Sequence, residues 1–296
     1  MNLARPYPVK HTTAWGVLCG TGAALCWAIG FVSARHGVVA GLSPVVIALH
    51  RFVWAGLAFL PLIAHAGFRD LGGVGWRHGI ALTFLGALPF SILSYSGFVL
   101  VPLGHGGLIQ PSVAAVAGLS LSWLVLKEAL PVRRIVGAAA ILLGLAVIGA
   151  EALRTMGAQG VLGDLIFVTT GVSYAIFAML LRQWQLAPTR AVAATSVLSL
   201  AGLALLPFVF DNMRAAGLRE NVLQAVLQGV FAGPAATFLF ARAVVLLGAG
   251  RAVLFTALVP AITLLIGYLA LGEVPSVSQL IGLVIVVIGF RLTQQN

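Results

Sequence analysis

The sequence predicts an all-α integral membrane protein with ten transmembrane helices, arranged as two inverted five-helix repeats around a central cavity. Three observations predict this fold class. Hydrophobic residues make up 60% of the 296 residues and charged residues only 8%, whereas soluble domains carry about 25% charged residues. The apolar residues form ten runs of spanning length. The second half of the chain also repeats a pattern found in the first half.

Each predicted span is an apolar run of about 20 residues, and runs of this length cross the hydrocarbon core as helices. The predicted spans are 14–35, 44–65, 79–100, 105–126, 132–150, 163–182, 189–210, 221–246, 250–271 and 276–292. Gly79 to Leu126 carries no Asp, Glu, Lys or Arg and holds two spans, which the turn residues of "VPLGHGG" separate. Glycine and proline also mark the breaks "AGLSP", "FRDLGGVGW", "LGAG" and "GEVPS" before spans two, three, nine and ten. The first run lacks a small-residue cleavage site, so we expect an uncleaved helix.

The spans divide the chain into four regions. These are a cytoplasmic N-terminal tail (1–13), a first five-helix repeat (14–150), a second five-helix repeat (160–292) and a cytoplasmic C-terminal tail (293–296). Eleven Lys and Arg flank the spans on the side of the N-terminus and four on the other side. Because cytoplasmic loops carry the excess of Lys and Arg, both termini are predicted to be cytoplasmic. The membrane itself is expected to be a plasma membrane, the inner membrane of a bacterium.

The repeat is visible when the chain is compared with itself at an offset of 145 residues. The matched pairs are Pro89 with Pro234, Tyr95 with Phe240, Glu128 with Glu273, Gly137 with Gly282, and Gly144 with Gly289. Earlier in each half the offset drifts by one or two residues, and "CWAI" at Cys26 matches "SYAI" at Ser173. Since each copy holds five helices, the second copy enters the membrane the other way up. Such inverted repeats allow one central site to open alternately to each side.

Three segments resemble a known family. They are "TALVPAITLLIGYLALGEVPSVSQLIGLVIVVIGF" from Thr256, "SPVVIALHRFVWAG" from Ser43 and "GTGAALCWAIGFVSAR" from Gly20. Together they resemble EamA-type carriers of the drug/metabolite transporter (DMT) superfamily, over nearly the whole chain, and the sequence is most similar overall to aromatic amino acid exporters of the YddG kind. The resemblance implies a secondary transporter that exports small amphipathic metabolites, foremost amino acids. One departure is that the first repeat has Ala115 where the second has Pro260, with its own proline at Pro111, so the fourth helix is expected to bend differently.

Polar and aromatic residues within the spans are the candidate substrate-binding groups, because such side chains are costly in lipid and paired helix interruptions mark transport sites. The predicted set is Trp27, Phe90, Ser91, Tyr95, Gln110, Tyr174, Thr237, Phe240, Phe255 and Thr256. The pairs Trp27/Tyr174 and Tyr95/Phe240 are pseudo-symmetric and are expected to form aromatic walls. The alternative is structural, since Ser and Thr pack membrane helices and aromatic residues collect at bilayer interfaces.

Four charged residues within or beside spans carry further predictions. Arg51 and Arg242 are possible contacts for a substrate carboxylate, which a guanidinium binds through two hydrogen bonds. The alternative is snorkelling to headgroups or a tie to backbone carbonyls. Glu128 and Glu273 each precede a proline and a helix, so we expect them to cap helices five and ten at the positive end of the helix dipole.

Several functions are disfavoured by what the sequence lacks. No Asp or Glu lies deep in a predicted span, and Asp164 comes nearest, about one residue into the sixth. This disfavours multidrug antiport through an embedded carboxylate but leaves uniport, or coupling through a substrate proton or a histidine. No nucleotide-binding or catalytic motif and no metal spacing is present, so no enzyme, cofactor, metal or nucleic-acid partner is predicted. The protein is expected to act as a monomer in the lipid bilayer on a small-molecule substrate. A sugar-phosphate or nucleotide-sugar carrier of the same superfamily, an embedded enzyme and a passive channel are the alternatives.

Overall fold

All regular structure in the described part of the chain is helical. The computed structural model describes the backbone of residues 9–294 and the side chains of residues 13–248, 251–252 and 255–294. Residues 1–8 of the predicted N-terminal tail and 295–296 of the predicted C-terminal tail therefore lie outside the described residues. The α-helices are α1 (Val9–Val39), α2 (Pro44–Ala66), α3 (Trp76–Gly86), α4 (Leu88–Leu100), α5 (Leu103–Leu124), α6 (Val132–Gln183), α7 (Pro188–Leu198), α8 (Leu206–Val226), α9 (Ala236–Leu247), α10 (Ala249–Ala252), α11 (Val259–Leu271) and α12 (Val277–Thr293). Segments Phe68–Asp70, Ser199–Leu205 and Val253–Leu258 are 3₁₀-helical, and Leu227–Ala235 is π-helical.

Six helical stretches of the described chain are long and apolar enough to cross a membrane. Two of them, Val132–Gln183 with 52 residues and Pro188–Leu247 with 60, far exceed the length of one crossing, which takes about 20 residues. The apolar helices Phe255–Leu271 and Val277–Thr293 are shorter.

A single glycine interrupts each of the two longest stretches. Gly157 within α6 has φ 60° and ψ −143°, and Gly217 within α8 has φ 80° and ψ 166°. Residues with a side chain rarely adopt positive φ, so these glycines permit a sharp change of direction without a loop. The predicted spans stop at 150 and 210 and resume at 163 and 221, whereas helix continues through both gaps up to and beyond each glycine. Asp164 consequently lies seven residues beyond Gly157, two turns into helix, and not one residue into it as expected.

The prolines matched by the repeat both lie where a helix is interrupted. Ala87, with φ −122° and ψ −130°, separates α3 from α4, and Pro89 occupies the first turn of α4. In the other half, Pro234 lies inside the π-helical segment Leu227–Ala235. Proline lacks the backbone N–H that would bond the carbonyl four residues earlier, and a π-helical turn changes the hydrogen-bond pattern of the helix. Both halves therefore have backbone carbonyls without the usual α-helical partner inside the apolar bundle.

The first half of α6 packs against α12 through glycines of both repeats. A methyl group added at Gly137 would lie 2.7 Å from the carbonyl oxygen of Gly289, and one added at Gly144 would lie 2.9 Å from that of Gly282. At the offset of 145 residues between the repeats, Gly137 corresponds to Gly282 and Gly144 to Gly289. The two contacts are therefore exchanged by the repeat, as they would be around a two-fold axis between the helices.

Candidate functional site

A cavity of about 490 Å³ occupies the middle of the helix bundle. This volume lies within the range of about 300–1,000 Å³ typical of small-molecule sites. Residues of α1, α2, α4, α5, the second half of α6 and α12 contribute to the wall, together with Thr256 of the Val253–Leu258 segment and Val259 of α11. The wall extends to Leu119, Thr293 and Gln294, at the C-terminal ends of α5 and α12.

Aromatic side chains form several parts of the cavity wall. Phe90 and Tyr174 have ring centroids 6.1 Å apart, and Tyr174 stacks on Phe177 at 5.6 Å. Trp27 also lines the cavity and lies 5.2 Å from the ring of Phe240 behind it. Rings at these separations are in the range of favourable aromatic contacts. The wall therefore presents flat apolar faces to an occupant.

Arg51 brings a positive charge to the cavity wall. Its Nη1 donates to Tyr95 Oη at 3.2 Å and to Gln228 Oε1 at 3.3 Å, while Nη2 donates to the carbonyl of Ala232 at 3.1 Å. Ala232 and Gln228 belong to the π-helical segment. None of the ion pairs among the described residues involves Arg51. The guanidinium is thus held in place by neutral groups, and its charge is available to an anionic ligand.

Gln228 ties the Arg51 group to α1. Its Oε1 accepts from Tyr95 Oη at 3.0 Å, and its Nε2 donates to the carbonyl of Gly30 at 2.8 Å. The side chain is fully buried. Our sequence analysis did not single out Gln228, although an amide in an apolar span, four residues after Gln224, was a usable signal because a buried amide needs partners.

A second polar group lies where α4 faces α5. Ser94 Oγ donates to Gln110 Oε1 at 2.8 Å, and both residues line the cavity beside Pro111. Ser91, one turn earlier on α4, is 3% exposed and lines the same wall. Few polar groups in a largely apolar wall are the usual arrangement for orienting a small ligand.

The structure brings eight of the twelve predicted substrate and charge contacts to this one cavity. They are Trp27, Arg51, Phe90, Ser91, Tyr95, Gln110, Tyr174 and Thr256. Of the two structural alternatives for Arg51, the structure does not have snorkelling but does have a tie to a backbone carbonyl, that of Ala232, beside the bonds to Tyr95 and Gln228. The wall also includes Phe31 and Phe290, which our prediction omitted.

Four predicted residues do not line the cavity. Phe240 stands behind Trp27, and Phe255 packs over Gly20. Thr237 Oγ1 donates to the carbonyl of Gly233 in its own helix at 3.0 Å. Arg242 is exposed on α9. For Thr237, Phe240 and Arg242 the cause is the π-helical segment, whose wider turn changes which side of α9 faces inward. Phe255 lies beyond α9, in the Val253–Leu258 segment, where its ring fills the space over Gly20.

The predicted caps Glu128 and Glu273 do not cap the helices that follow them. Pro131 precedes α6 with no side-chain cap, and Ser276 caps α12 in a capping box with Gln279. Glu273 instead accepts through Oε2 from the backbone N–H of Leu103, at the start of α5, at 2.8 Å. The expectation failed because it considered only neighbours in sequence, whereas the carboxylate reaches a helix N-terminus of the other repeat.

Both glutamates form ion pairs with an arginine of the opposite repeat. Glu273 Oε1 accepts from Arg35 Nε at 2.6 Å, and Glu128 Oε1 accepts from Arg182 Nη2. At the offset of 147 that matches "CWAI" to "SYAI", Arg35 corresponds to Arg182. The 22 residues of α5 separate the two pairs by about 33 Å, so they stand at opposite ends of the bundle, here called the Glu273 end and the Glu128 end.

The two ends differ in how they are packed. At the Glu273 end Phe98 and Phe167 are fully buried with ring centroids 4.9 Å apart, and Phe31 lies 6.3 Å from Phe98. Arg35 Nη1 donates to the carbonyl of Phe98 at 2.6 Å. The repeat places small residues at the corresponding positions of the other end, namely Gly20, Ala178 and Ala243. The Arg35–Glu273 side chains are 19% and 25% exposed, against 56% and 38% for Arg182–Glu128. The aromatic cluster therefore closes the Glu273 end, while the cavity extends toward the Glu128 end.

No group of three or more His, Cys, Asp or Glu side chains in the described residues is arranged to hold a metal ion. Cys19 and Cys26 are free thiols. The chemistry of the cavity is therefore that of one fixed cation, a few hydroxyl and amide groups and several aromatic faces.

Comparisons with known proteins point to a transporter family. The profile of the EamA-like transporter family matches residues 14–150 and again residues 161–294. A solved structure described as "Crystal structure of protein" superposes with a TM-score of 0.63 and 19% sequence identity, covering 96% of each chain, which shows a shared fold. No curated protein matches the chain significantly.

Proposed function

Because the chain belongs to the EamA-like transporter family, whose domain it contains twice, we propose that it is a secondary carrier that exports amino acids, aromatic and other neutral ones, by alternating access. The observation that carries the proposal is the central cavity, whose wall holds both several aromatic faces and a guanidinium that forms no ion pair among the described residues. An amino acid has the matching features, a carboxylate close to an apolar side chain.

The transmembrane arrangement that we propose has ten crossings. The breaks at Gly157 and Gly217 divide the two longest helical stretches into two crossings each, and the helices ending at Leu271 and Thr293 supply the last two. The exchanged glycine contacts and the exchanged ion pairs support an inverted relation between the repeats. In this arrangement the pseudo-two-fold axis runs in the plane of the membrane, which is the geometry of many alternating-access carriers.

The orientation that we propose places both termini in the bacterial cytoplasm, following the distribution of Lys and Arg. The Glu128 end, toward which the cavity extends, then faces the cytoplasm, and the closed Glu273 end faces outward. This is the state in which an exporter accepts its substrate from the cell. Exchange of the two ion pairs, one breaking while the other tightens, would produce the opposite state.

The position of Arg51 supports a carboxylate in the substrate. It is the one Lys or Arg among the described residues of the cavity wall. A phosphate group carries up to two charges and usually takes several cationic partners, so the wall suits a monoanionic carboxylate better than a sugar phosphate. The rings of Trp27, Phe90 and Tyr174, which all line the cavity, would then favour flat apolar side chains.

The proposal is tested by binding of matched ligands to the purified protein. Phenylalanine should raise the unfolding temperature in a concentration-dependent way, whereas phenethylamine, which lacks the carboxylate, should bind about 10- to 100-fold more weakly, since hydrogen bonds to charged groups contribute about 1.5–3 kcal/mol. Arg51→Gln should abolish this preference, and Arg242→Gln, an exposed arginine on α9, should retain it. Equal binding of both ligands by the unmodified protein would refute the role of Arg51, and binding of no amino acid in a broad panel would refute the substrate class.

A further inference from the structure

The charges in the wall of the central cavity do not balance. Arg51 carries a positive charge at every physiological pH, because a guanidinium does not lose its proton in proteins. The other described residues of the wall include no Asp, Glu, Lys or His. The wall therefore has a single net positive charge.

Every carboxylate side chain of the sequence lies away from this wall. The residues whose side chains are not described contain no Asp or Glu, so all seven acidic residues have a described position. Each is either exposed or bonded to a group outside the wall, as Asp164 Oδ1 is to His105 Nδ1 at 2.8 Å. The seven are Asp70, Glu128, Glu151, Asp164, Asp211, Glu220 and Glu273. A positively charged group of a bound ligand therefore finds no anionic partner in the cavity.

Two donors of the Arg51 guanidinium are left for a ligand. Its bonds to described residues use Nη1 twice and Nη2 once, so the N–H of Nε and one N–H of Nη2 make no hydrogen bond among those residues. A carboxylate accepts from two N–H groups of a guanidinium at once. The oxygens beside the guanidinium, those of Tyr95, Gln228 and Ala232, already accept from Arg51. A second cation placed here would have to compete with Arg51 for them.

The ammonium of an amino acid would lie close to Arg51. It is attached to the carbon next to the carboxylate, so a carboxylate bound to the guanidinium brings two positive charges together, and like charges in a poorly solvated site repel. The faces of Trp27, Phe90 and Tyr174 attract a cation, but they are also the surfaces that an apolar ring would cover. An acid of the same shape without the ammonium avoids the repulsion and makes the occupied cavity neutral.

We propose that the cavity takes aromatic monocarboxylates without an amino group, that is arylalkanoate anions such as 3-phenylpropionate, in preference to amino acids; this deepens the carrier function proposed above and rests on it. The carboxylate binds the two remaining donors of Arg51, and the ring lies against the aromatic faces of the wall. An aromatic amino acid occupies the same site with lower affinity, because its ammonium has no anionic partner there.

The preference is tested by titration calorimetry of the purified protein with three ligands of one skeleton. The acid 3-phenylpropionate should bind about 10-fold more tightly than phenylalanine, because the amino acid adds a like charge beside Arg51. The neutral 3-phenylpropanamide should bind about 10- to 100-fold more weakly than the acid, since it lacks the charge that Arg51 recognises. Arg51→Gln should remove the advantage of the acid over both other ligands, and the exposed Arg242→Gln should retain it.

Each outcome of the titrations decides the proposal. Phenylalanine binding as tight as that of 3-phenylpropionate, or tighter, would overturn it, and so would no binding of the acid. Binding of the acid without binding of any amino acid would refute the amino acid substrates proposed above and leave the preference for the acid intact.

A carboxylate introduced into the wall should reverse the preference. Gln110 lines the cavity, is 7% exposed, and its Oε1 accepts from Ser94, a bond that a carboxylate retains. In Gln110→Glu, titrated in a mildly alkaline buffer that keeps the new carboxyl ionised, phenylalanine should bind more tightly than 3-phenylpropionate. Gln183→Glu, which adds the same charge at an exposed position at the end of α6, should keep the preference of the unmodified protein. A Gln110→Glu variant that retains its helical circular dichroism and still prefers the acid would overturn the proposal; if this variant does not fold, the three ligands on the unmodified protein decide.

Discussion

Replacing Glu273 with glutamine should loosen the closed end of the bundle. The carboxylate accepts from Arg35 Nε at 2.6 Å and from the backbone of Leu103 at 2.8 Å, and its side chain is only 25% exposed. A glutamine keeps a similar shape but loses the charge. Since a hydrogen bond between charged groups contributes about 1.5–3 kcal/mol, we expect the closed state to lose about 2 kcal/mol, which changes the ratio of the two orientations about 30-fold.

The pseudo-symmetric residue supplies the matched control. Glu128→Gln removes the same charge from the Arg182 pair, whose side chains are 56% and 38% exposed. Exposed ion pairs contribute about 0–1 kcal/mol, so this variant should change the ratio several-fold at most. The two glutamates occupy corresponding positions in the repeat. A difference between the two effects therefore reflects which end of the bundle is closed.

A single cysteine in the cavity wall reports the change. In a background with Cys19 and Cys26 replaced by alanine, the variant Ala115→Cys, at a half-buried position of the cavity wall, is treated with a membrane-impermeant thiol reagent from each side of sealed vesicles. The reagent should react from the side of the Glu128 end, and Glu273→Gln should raise the rate from the other side about 30-fold. Unchanged sidedness in Glu273→Gln, or an equal change in Glu128→Gln, would refute the assignment of the closed end.

Three further predictions concern packing and selectivity. Gly289→Ala places a methyl group 2.7 Å from the carbonyl oxygen of Gly137 and should lower the free energy of unfolding in bilayers or detergent by about 1–3 kcal/mol. The control Gly149→Ala, whose added methyl group has nothing within 4 Å, should not lower it. Equal stability of the two variants would contradict the pairing of α6 with α12. Trp27→Leu should weaken phenylalanine binding by about 0.5–1.5 kcal/mol but leave threonine binding unchanged, and titration calorimetry would contradict this if both ligands weakened equally. Phe98→Ala empties a fully buried site of the aromatic cluster and should cost about 3–5 kcal/mol in stability, so a melting temperature equal to that of the unmodified protein would argue against the cluster.

The sequence predicted the helical class and the repeat because both depend on patterns that survive without coordinates. Apolar runs of spanning length require helices in lipid, and the matched glycines and glutamates of the two halves reflect contacts that the repeat duplicates. The helix boundaries near Gly157 and Gly217 could not be predicted, because polar residues that resemble a loop remain helical up to one glycine with positive φ.

The candidate site was predictable where a residue's chemistry was unusual for its span. Trp27, Tyr95 and Gln110 are large or polar groups in apolar helices, and all three line the cavity. We predicted that Thr237 and Phe240 line the cavity, but the π-helical segment before them changes which side chains of α9 face inward. No residue pattern in the sequence indicated that segment. The His105–Asp164 pair joins positions 59 residues apart, and only the folded chain brings them within 2.8 Å.

The partners of Glu128 and Glu273 illustrate the same limit. Sequence neighbours suggested two caps, whereas each glutamate binds an arginine from the opposite repeat. The repeat itself contained the necessary clue, since Arg35 and Arg182 correspond as the glutamates do. Our prediction considered only the residues next to each glutamate, so the exchange of partners between the copies was missed although the inverted topology was predicted.

Counterflow in proteoliposomes tests the central claim most directly. Vesicles that contain the purified protein and are loaded with unlabelled phenylalanine should transiently accumulate labelled phenylalanine from outside, with an initial rate that saturates as its concentration rises. This result is expected only of a carrier whose one site opens to each side in turn. Flux that rises linearly without counterflow would identify a channel, and no movement of any amino acid in a broad panel would contradict the proposed substrate class.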